Sequence, residues 1–411
     1  MATPGFAIPK RPRMLSVEEA RTAMLVQVAG LDGESIPLDD ALGRILMQDV
    51  MATRDQPPFA VAAMDGYALI AADTPGRLTV VGESAAGIGF EGSCAQSHAI
   101  RISTGAALPP GTDAVVIQEN VQRVGNVVTV PVAGVTQNVR SQGEDFLAGD
   151  LLLKRSSVLD GVALSLAAAA GVAEVVVVRR PRVAILSSGN ELAVPGRTPE
   201  PWQIFDSATF GLAGLARTWG GMCQRLALER DDPAAIAAAA QRALRENDLL
   251  VVVGGASVGD HDYARPALAS LGLRPVVEKV SVRPGKPTWF GTVAGKPVLG
   301  LPGNPASAFV CAQLFLKPMI GAMLRNVPQA QRRHARLRRA LSANGPREHY
   351  MRAHWESDAC GQLWITAFDD QGSSLISVFA SSNALIRLMP GTPALAEGAV
   401  VEMVPLDRAQ L

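Results

Sequence analysis

Cysteine, histidine and aromatic side chains are scarce in this chain of 411 residues, and it has no net charge. Its four cysteines, Cys94, Cys223, Cys311 and Cys360, lie far apart and form no C-x-x-C pair. That spacing argues against a zinc ribbon, a redox dithiol and a disulfide framework, and it fits a reducing cytoplasm. The five histidines form no H-E-x-x-H pattern, and no nucleophile elbow is present for a serine triad. Lys+Arg and Asp+Glu both number 38, so there is no global field to attract nucleic acid or an acidic membrane, and any anion site must be local. The first thirteen residues are broken by Pro4, Pro9 and Pro12 and hold no apolar stretch of signal length. Apolar runs such as Leu164–Ala173 and Leu249–Val253 are too short or too interrupted to cross a bilayer. A soluble cytoplasmic protein with no nucleic-acid or membrane partner is expected.

Several organised stretches remain. Ser16-Val17-Glu18-Glu19 is a capping box that opens a helix to about Val28, and a second helical stretch is expected at Leu38–Leu46. From Met51 to about Val135 short β-branched runs such as Leu78–Val81 and Val127–Val130 are split by Gly, Pro and Asn. Helical sequence returns at Leu159–Ala170. Residues 1–50 and 137–180 therefore read as one elongated helical linker domain, interrupted by a β-rich lobe at 51–136. Residues 181–327 alternate strand and helix signals: Val183–Leu186, Ala208–Trp219, Arg225–Leu228, Pro233–Arg245, Leu249–Val253 and Pro305–Leu324. Such a βαβ series predicts a mostly parallel sheet with helices on both faces. Short strands at Tyr350–Trp355, Gln362–Thr366, Ala384–Leu388 and Val400–Val404 suggest a small β-barrel over 328–411. The fold class is thus α/β multidomain.

Three glycine-punctuated loops stand out in the α/β stretch. They are Gly254-Gly255-Ala256-Ser257-Val258-Gly259-Asp260-His261-Asp262-Tyr263, Arg283-Pro284-Gly285-Lys286-Pro287 and Leu301-Pro302-Gly303-Asn304-Pro305-Ala306-Ser307. The first and third follow apolar runs, and open α/β sheets place ligands at such strand ends. Asn304 before Pro305 leaves free N–H groups at a helix N-terminus, which suits an oxyanion, and Ser307 adds a hydroxyl; an ordinary helix cap is the plainer alternative. Asp260 and Asp262 lie two apart and can face one hard cation such as Mg²⁺, with Glu191 in reach at another strand end. Capping explains Asp260 equally well, and Asp231 and Asp232 before Pro233 read as caps. Lys286, held between prolines, is a point charge for an oxyanion that Arg283 can assist, or simply a solvated turn residue. Elsewhere, Ala63-Met64-Asp65-Gly66-Tyr67-Ala68, Ser103-Thr104-Gly105, Gln118-Glu119-Asn120 and Gly143-Glu144-Asp145 are turn signals. Arg347 and Arg352 flank Tyr350, and Gly372-Ser373-Ser374 can form an anion nest. The basic run Arg332–Arg339 reads as a solvated face rather than a nucleic-acid site.

At these motifs the chain resembles the molybdenum insertases, the bacterial MoeA proteins and the E domain of gephyrin, over nearly its whole length. The resemblance implies a homodimer of L-shaped subunits, each with an elongated helical linker, a β-rich lobe, a three-layer α/β molybdopterin-binding domain like the stand-alone MogA and MoaB proteins, and a small C-terminal β-barrel. It implies insertion of molybdate into adenylylated molybdopterin with release of AMP and with Mg²⁺ as cofactor. By the same resemblance Asp65, Thr104, Glu119 and Asp145 line the cleft from the partner's lobe, while Glu191, Asp231 and Asp262 hold the nucleotide or its metal. Lys286 and Ser307, with Arg347 or Arg352 and Ser373, hold the oxyanion. The glycine loops (Gly254, Gly255, Ser257, Gly259, Pro302, Gly303, Asn304, Pro305) cradle the pterin nucleotide. Molybdopterin adenylyltransferase, apo-molybdoenzymes and their chaperones are the implied partners. The chain departs from the family at Ala208 and Ser374, where Asn and His are usual, at Ala256, where the residue is often larger, and at Ala353, where Gly is common. Two other readings are adenylyl transfer onto molybdopterin, against which the extra lobes argue, and a degenerate cofactor-binding scaffold.

Overall fold

The computed structural model describes residues 14–254, 263–327 and 332–407. The chain forms two compact units, one over Gly33–Val177 and one made of the residues up to Asp32 together with those from Val178 onward.

In the Gly33–Val177 unit the β-rich sequence forms a six-stranded mixed sheet. Its order is Ala114–Ile117, Gly66–Leu69, His98–Ile102, Gly76–Ser84, Val127–Val130 and Gln122–Val124. Alternate residues Tyr67, Leu69, Leu78, Val116 and Val128 share one buried cluster, as period-two patterning requires. Helix Gly161–Ala169 is capped by Asp160, whose carboxylate accepts from the Ala163 N–H at 2.8 Å. The helix expected at Leu38–Leu46 does not form. Leu38–Asp40 is one 3₁₀ turn, Gly43 adopts φ 72°, and Ile45 and Leu46 bridge to Val158 and Val177. Those apolar residues anchor extended chain rather than one face of a helix.

The other unit is built on a six-stranded sheet ordered Met222–Arg225, Arg182–Ser187, Leu249–Val253, Lys296–Leu301, Trp289–Val293 and Arg274–Val277. The first four strands are parallel and the last two antiparallel. Helices Pro233–Glu246 and Ala264–Ser270 cover one face, where Ala184, Leu186, Leu250 and Val252 meet Ile236, Ala240 and Leu268. Helices Ala208–Thr218 and Pro305–Cys311 pack together on the sheet as well. The helix that starts at Pro305 continues to Met323 through a π-helical segment, Ala312–Leu316. It is long and apolar enough to cross a bilayer, but 83% of its apolar window is buried in the fold. The N-terminal helix runs over Val17–Leu25 with the expected capping box, and it packs on this unit.

The C-terminal strands close into a five-stranded barrel. Glu348–Ser357 pairs with both Leu363–Ala367 and Ala384–Leu388, and Arg333–Leu337 and Val400–Pro405 complete the ring. Val282–Arg283 adds to it in parallel beside Glu348–His349. The basic run is a partnered face. Arg332 pairs with Glu402 at 3.3 Å, Arg338 with Glu356 at 3.4 Å, and Arg338 also lies over the Trp364 ring. On the outer face of the barrel, alternating with its core residues Met351, Ala353, Ile386 and Met403, Glu348, 4% exposed, pairs with Arg387 and accepts from the Tyr350 hydroxyl at 2.8 Å. Burial and the adjacent carboxylate push the Tyr350 phenol up. Removing one partner from such a pair leaves an uncompensated buried charge. Arg387→Met is therefore expected to destabilise the protein by about 3–5 kcal/mol in denaturant unfolding. A change below about 1 kcal/mol would show that the pair contributes nothing net.

Candidate functional site

Three strands of the parallel sheet end side by side in Ser187-Ser188-Gly189, Gly254 and Pro302-Gly303-Asn304. Their carboxyl ends floor a cavity of 780 Å³ in the α/β unit. The floor depends on glycine. Gly254 adopts φ 87°, which favours glycine, and an added Cβ on Gly303 would only reach ordinary contact, 3.4 Å, with the Gly254 Cα.

Glu191 and Asp231 are among the residues that line the cavity. The Asp231 Oδ2 accepts from the Asn190 N–H at 3.2 Å, and the Asp231 N–H donates to Asn190 Oδ1 at 3.4 Å. Asp232, not Asp231, caps the following helix through the Ala234 N–H. The structure thus separates two acids that the sequence reads alike. Among the described residues no group of three or more His, Cys, Asp or Glu is arranged to hold a metal. Gly255, Ser257, Gly259, Asp260 and Asp262 lie outside the described residues.

Lys279 and Lys286 line the cavity too, neither with a carboxylate partner among the described residues. Lys286 sits on a turn with little freedom. Gly285 adopts φ 117°, its carbonyl accepts from the Thr288 N–H and hydroxyl at 3.0 and 2.8 Å, and the Lys286 carbonyl accepts from the Val280 N–H. A Cβ on Gly285 would fall 2.1 Å from the Cys311 Sγ. The Arg283 side chain lines a different cavity, of 540 Å³, together with His349.

Pro302, Gly303, Asn304 and Pro305 all line the main cavity. Asn304 precedes the helix but makes no side-chain cap; its Nδ2 donates to the Ser373 Oγ at 2.9 Å. The Ser307 N–H donates to the Ser373 carbonyl at 3.3 Å, so one free donor of the helix start is already engaged. Ser307 is buried, and Ser374 rather than Ser373 lines the cavity. Neither Arg347 nor Arg352 does. Arg347 donates to the Val282 carbonyl. Arg352, 1% exposed, donates to Gln371 Oε1 and to the Gly372 carbonyl, and its Nη2 is buried without an acceptor. It holds the 371–374 loop from behind. Burial, with Arg283, Arg352 and Arg347 nearby, pushes the His349 imidazole down to about 4.

The remaining candidates belong to the Gly33–Val177 unit. Asp65 Oδ1 accepts from the Thr104 N–H and hydroxyl at 2.6 and 2.8 Å, and those bonds lower its pKa. Glu119 lies on the 3₁₀ turn whose Gln118 N–H donates to the Asp65 carbonyl. Asp145 is on a separate turn tied to Gln56. Sequence reasoning missed Lys279, Phe205, Asp206 and Ile376, all of which line the α/β cavity. Only the Asp206-Ser207 pair before a helix offered a signal, and it reads as a cap.

Family profiles cover this architecture in three pieces. The "MoeA N-terminal region (domain I and II)" matches residues 15–171, the "Probable molybdopterin binding domain" 184–322, and the "MoeA C-terminal region (domain IV)" 334–406. The chain is similar to the molybdopterin molybdenumtransferase of Haemophilus influenzae, 32% identical over 96% of this chain and 99% of that one. It is equally similar to molybdopterin molybdenumtransferase 2 of Mycobacterium tuberculosis, 32% identical over 95% and 99%. A MoeA crystal structure from Pyrococcus horikoshii superposes with a TM-score of 0.85, at 30% identity over 96% of this chain and all of that one. Fold and site together define a multidomain α/β protein with a pterin-binding type of domain. The chain belongs to the MoeA family of molybdopterin molybdenumtransferases.

The seating of Gly285 on Cys311 is open to test. Gly285→Ala is expected to cost more than Gly92→Ala, where φ is similar, 121° against 117°, but the atom nearest the added Cβ is a Phe90 ring carbon at an ordinary 3.5 Å. Backbone strain alone accounts for about 1–2 kcal/mol at each, and overpacking adds about 1–3 kcal/mol at Gly285. Equal losses in denaturant unfolding would show that close approach is not what requires glycine there.

Proposed function

We propose that this chain is the molybdenum insertase of molybdenum cofactor biosynthesis, converting adenylylated molybdopterin and molybdate into molybdenum cofactor and AMP. The observation that supports this most directly is that two lysines and two carboxylates line one cavity at the strand ends. Molybdate is a dianion and the phosphoanhydride adds negative charge, so bringing them together requires local positive charge. Lys279 and Lys286 supply it, and the turn beneath Lys286 fixes where it acts. Glu191 and Asp231 bring hard oxygen donors of the kind Mg²⁺ takes, and Asp262 is the third residue of that proposed set. Bound there, Mg²⁺ would neutralise charge on the phosphoanhydride.

No protein nucleophile is required. Cys311 is buried and its thiol is pushed up to about 12 by that burial, so it offers no thiolate. The work of the site is positioning and charge neutralisation. The relatives named above are matched over almost their full length, including the lobes that adenylyl transfer does not need, and no observation favours that reaction or a storage scaffold. The proposal extends to a cytoplasmic homodimer in which Asp65, Thr104, Glu119 and Asp145 of one subunit complete the cleft of the other. Molybdopterin adenylyltransferase would deliver the substrate, and apo-molybdoenzymes or their chaperones would receive the product.

Purified protein is expected to release AMP from adenylylated molybdopterin only when molybdate and Mg²⁺ are present, and to stop when Mg²⁺ is chelated. Lys286→Ala and Asp231→Asn should each lower turnover by about 10²–10³ while the fold is retained. Normal turnover by both variants would sink the site assignment. Mixing Asp65→Asn chains with Lys286→Ala chains should restore activity that neither has alone, because a mixed dimer holds one intact cleft. Absence of complementation would count against the shared cleft.

A further inference from the structure

We infer that Asp206 is the residue that reads the pterin, accepting two hydrogen bonds from the donor edge of its pyrimidine ring. This rests on the substrate proposed above and names the part of it that this carboxylate recognises.

Asp206 lines the 780 Å³ cavity, yet it is only 8% exposed. It has no ion-pair partner among the described residues. Among the described residues its oxygens are held by one: the Thr209 hydroxyl donates to Oδ2 at 2.6 Å and the Thr209 N–H to Oδ1 at 3.3 Å. One cation reaches the same threonine. Arg225 Nε donates to the Thr209 Oγ1 at 3.1 Å, and its guanidinium lies over the Phe210 ring. Asp206 is thus a buried carboxylate, fixed in orientation, with one further lone pair on each oxygen that no described residue engages. A buried charge in that state calls for donors from something else.

Its surroundings define the donor. Leu192, Ile204 and Phe205 line the same cavity and present apolar surface, which suits the face of a flat heteroaromatic ring. The metal and phosphate chemistry proposed above belongs to Glu191, Asp231 and the lysines, so Asp206 is left for the ring. A 2-amino-4-oxopyrimidine presents N3–H and an exocyclic N2–H side by side, two donors that match the two oxygens of one carboxylate. An adenine edge presents one donor beside an acceptor and leaves one Asp206 oxygen facing a lone pair. The geometry therefore favours the pterin over the adenine end of the substrate at this position.

The test compares pterin with lumazine, which carries a carbonyl in place of the 2-amino group, by fluorescence titration of the full-length protein. Wild type is expected to bind pterin at least about tenfold more tightly than lumazine, since an unmatched carbonyl would face a buried carboxylate. Asp206→Asn keeps the size and the acceptor for the Thr209 N–H but turns one acceptor into a donor. It should abolish most of that preference by weakening pterin and sparing lumazine. The ratio of the two affinities is the readout because a partly unfolded sample lowers both alike, as would the loss of a helix cap. An unchanged ratio in Asp206→Asn, or no pterin preference in wild type, overturns the inference. Either result can occur while molybdate-dependent AMP release is intact, which separates failure of this inference from failure of the insertase reading.

Discussion

The turn Arg283–Pro287 ties together three parts of the α/β and barrel unit. Its Gly285 packs against Cys311 of the core helix, at a distance only a missing side chain allows. The residues before it, Val282 and Arg283, add to the barrel beside Glu348 and His349. Lys286, after it, faces the cavity. One short segment therefore fixes the cationic wall of the site to the hydrophobic core and to the C-terminal domain at once. A lysine on a free loop would lose entropy on meeting an oxyanion; this one is restrained before any ligand arrives.

The same logic governs the barrel's other contribution. The loop at 371–374 is pinned from below by Arg352, through Gln371 and Gly372, and from the helix side by Asn304 and Ser307, through Ser373. Arg352 is buried at 1% exposure. Its position makes it a support for the loop that presents Ser374, rather than a group on the cavity wall. The orphaned Nη2 marks where that support is under-satisfied, and such groups tend to cluster near functional sites.

Much of the framework was legible in the sequence because it rests on local patterning. Leu249–Val253 and Ala384–Leu388 are strands at the expected residues, since short apolar runs, unbroken in the first and interrupted only by Arg387 in the second, suit buried strands. The edge strand expected at Arg225–Leu228 lies at Met222–Arg225 instead. Its exposure alternates between exposed and half-buried, so no apolar run marks it. Leu38–Leu46 has helix-like spacing, but its Ile45 and Leu46 are claimed by partners more than a hundred residues away. The site divides the same way. Loops with glycine signals were found, whereas Lys279, Asp206 and Ile376 reach the cavity only through tertiary folding, and no local rule distinguishes them from surface charge, helix cap and core.

The distribution of carboxylates gives the cavity its polarity. Glu191 is exposed and Asp231 half-buried, tied among the described residues to Asn190, and so they keep oxygen capacity for a hydrated, exchangeable ligand. Asp206 is buried and locked by Thr209. A metal-bridged phosphate must enter and leave with its water, which favours the first environment. A neutral ring with two N–H donors exchanges little water and gains most from a rigid, desolvated acceptor, which favours the second. Two acidic positions in one cavity thus differ in solvation, and in the proposed complex that difference would orient a substrate that is charged at one end and flat at the other.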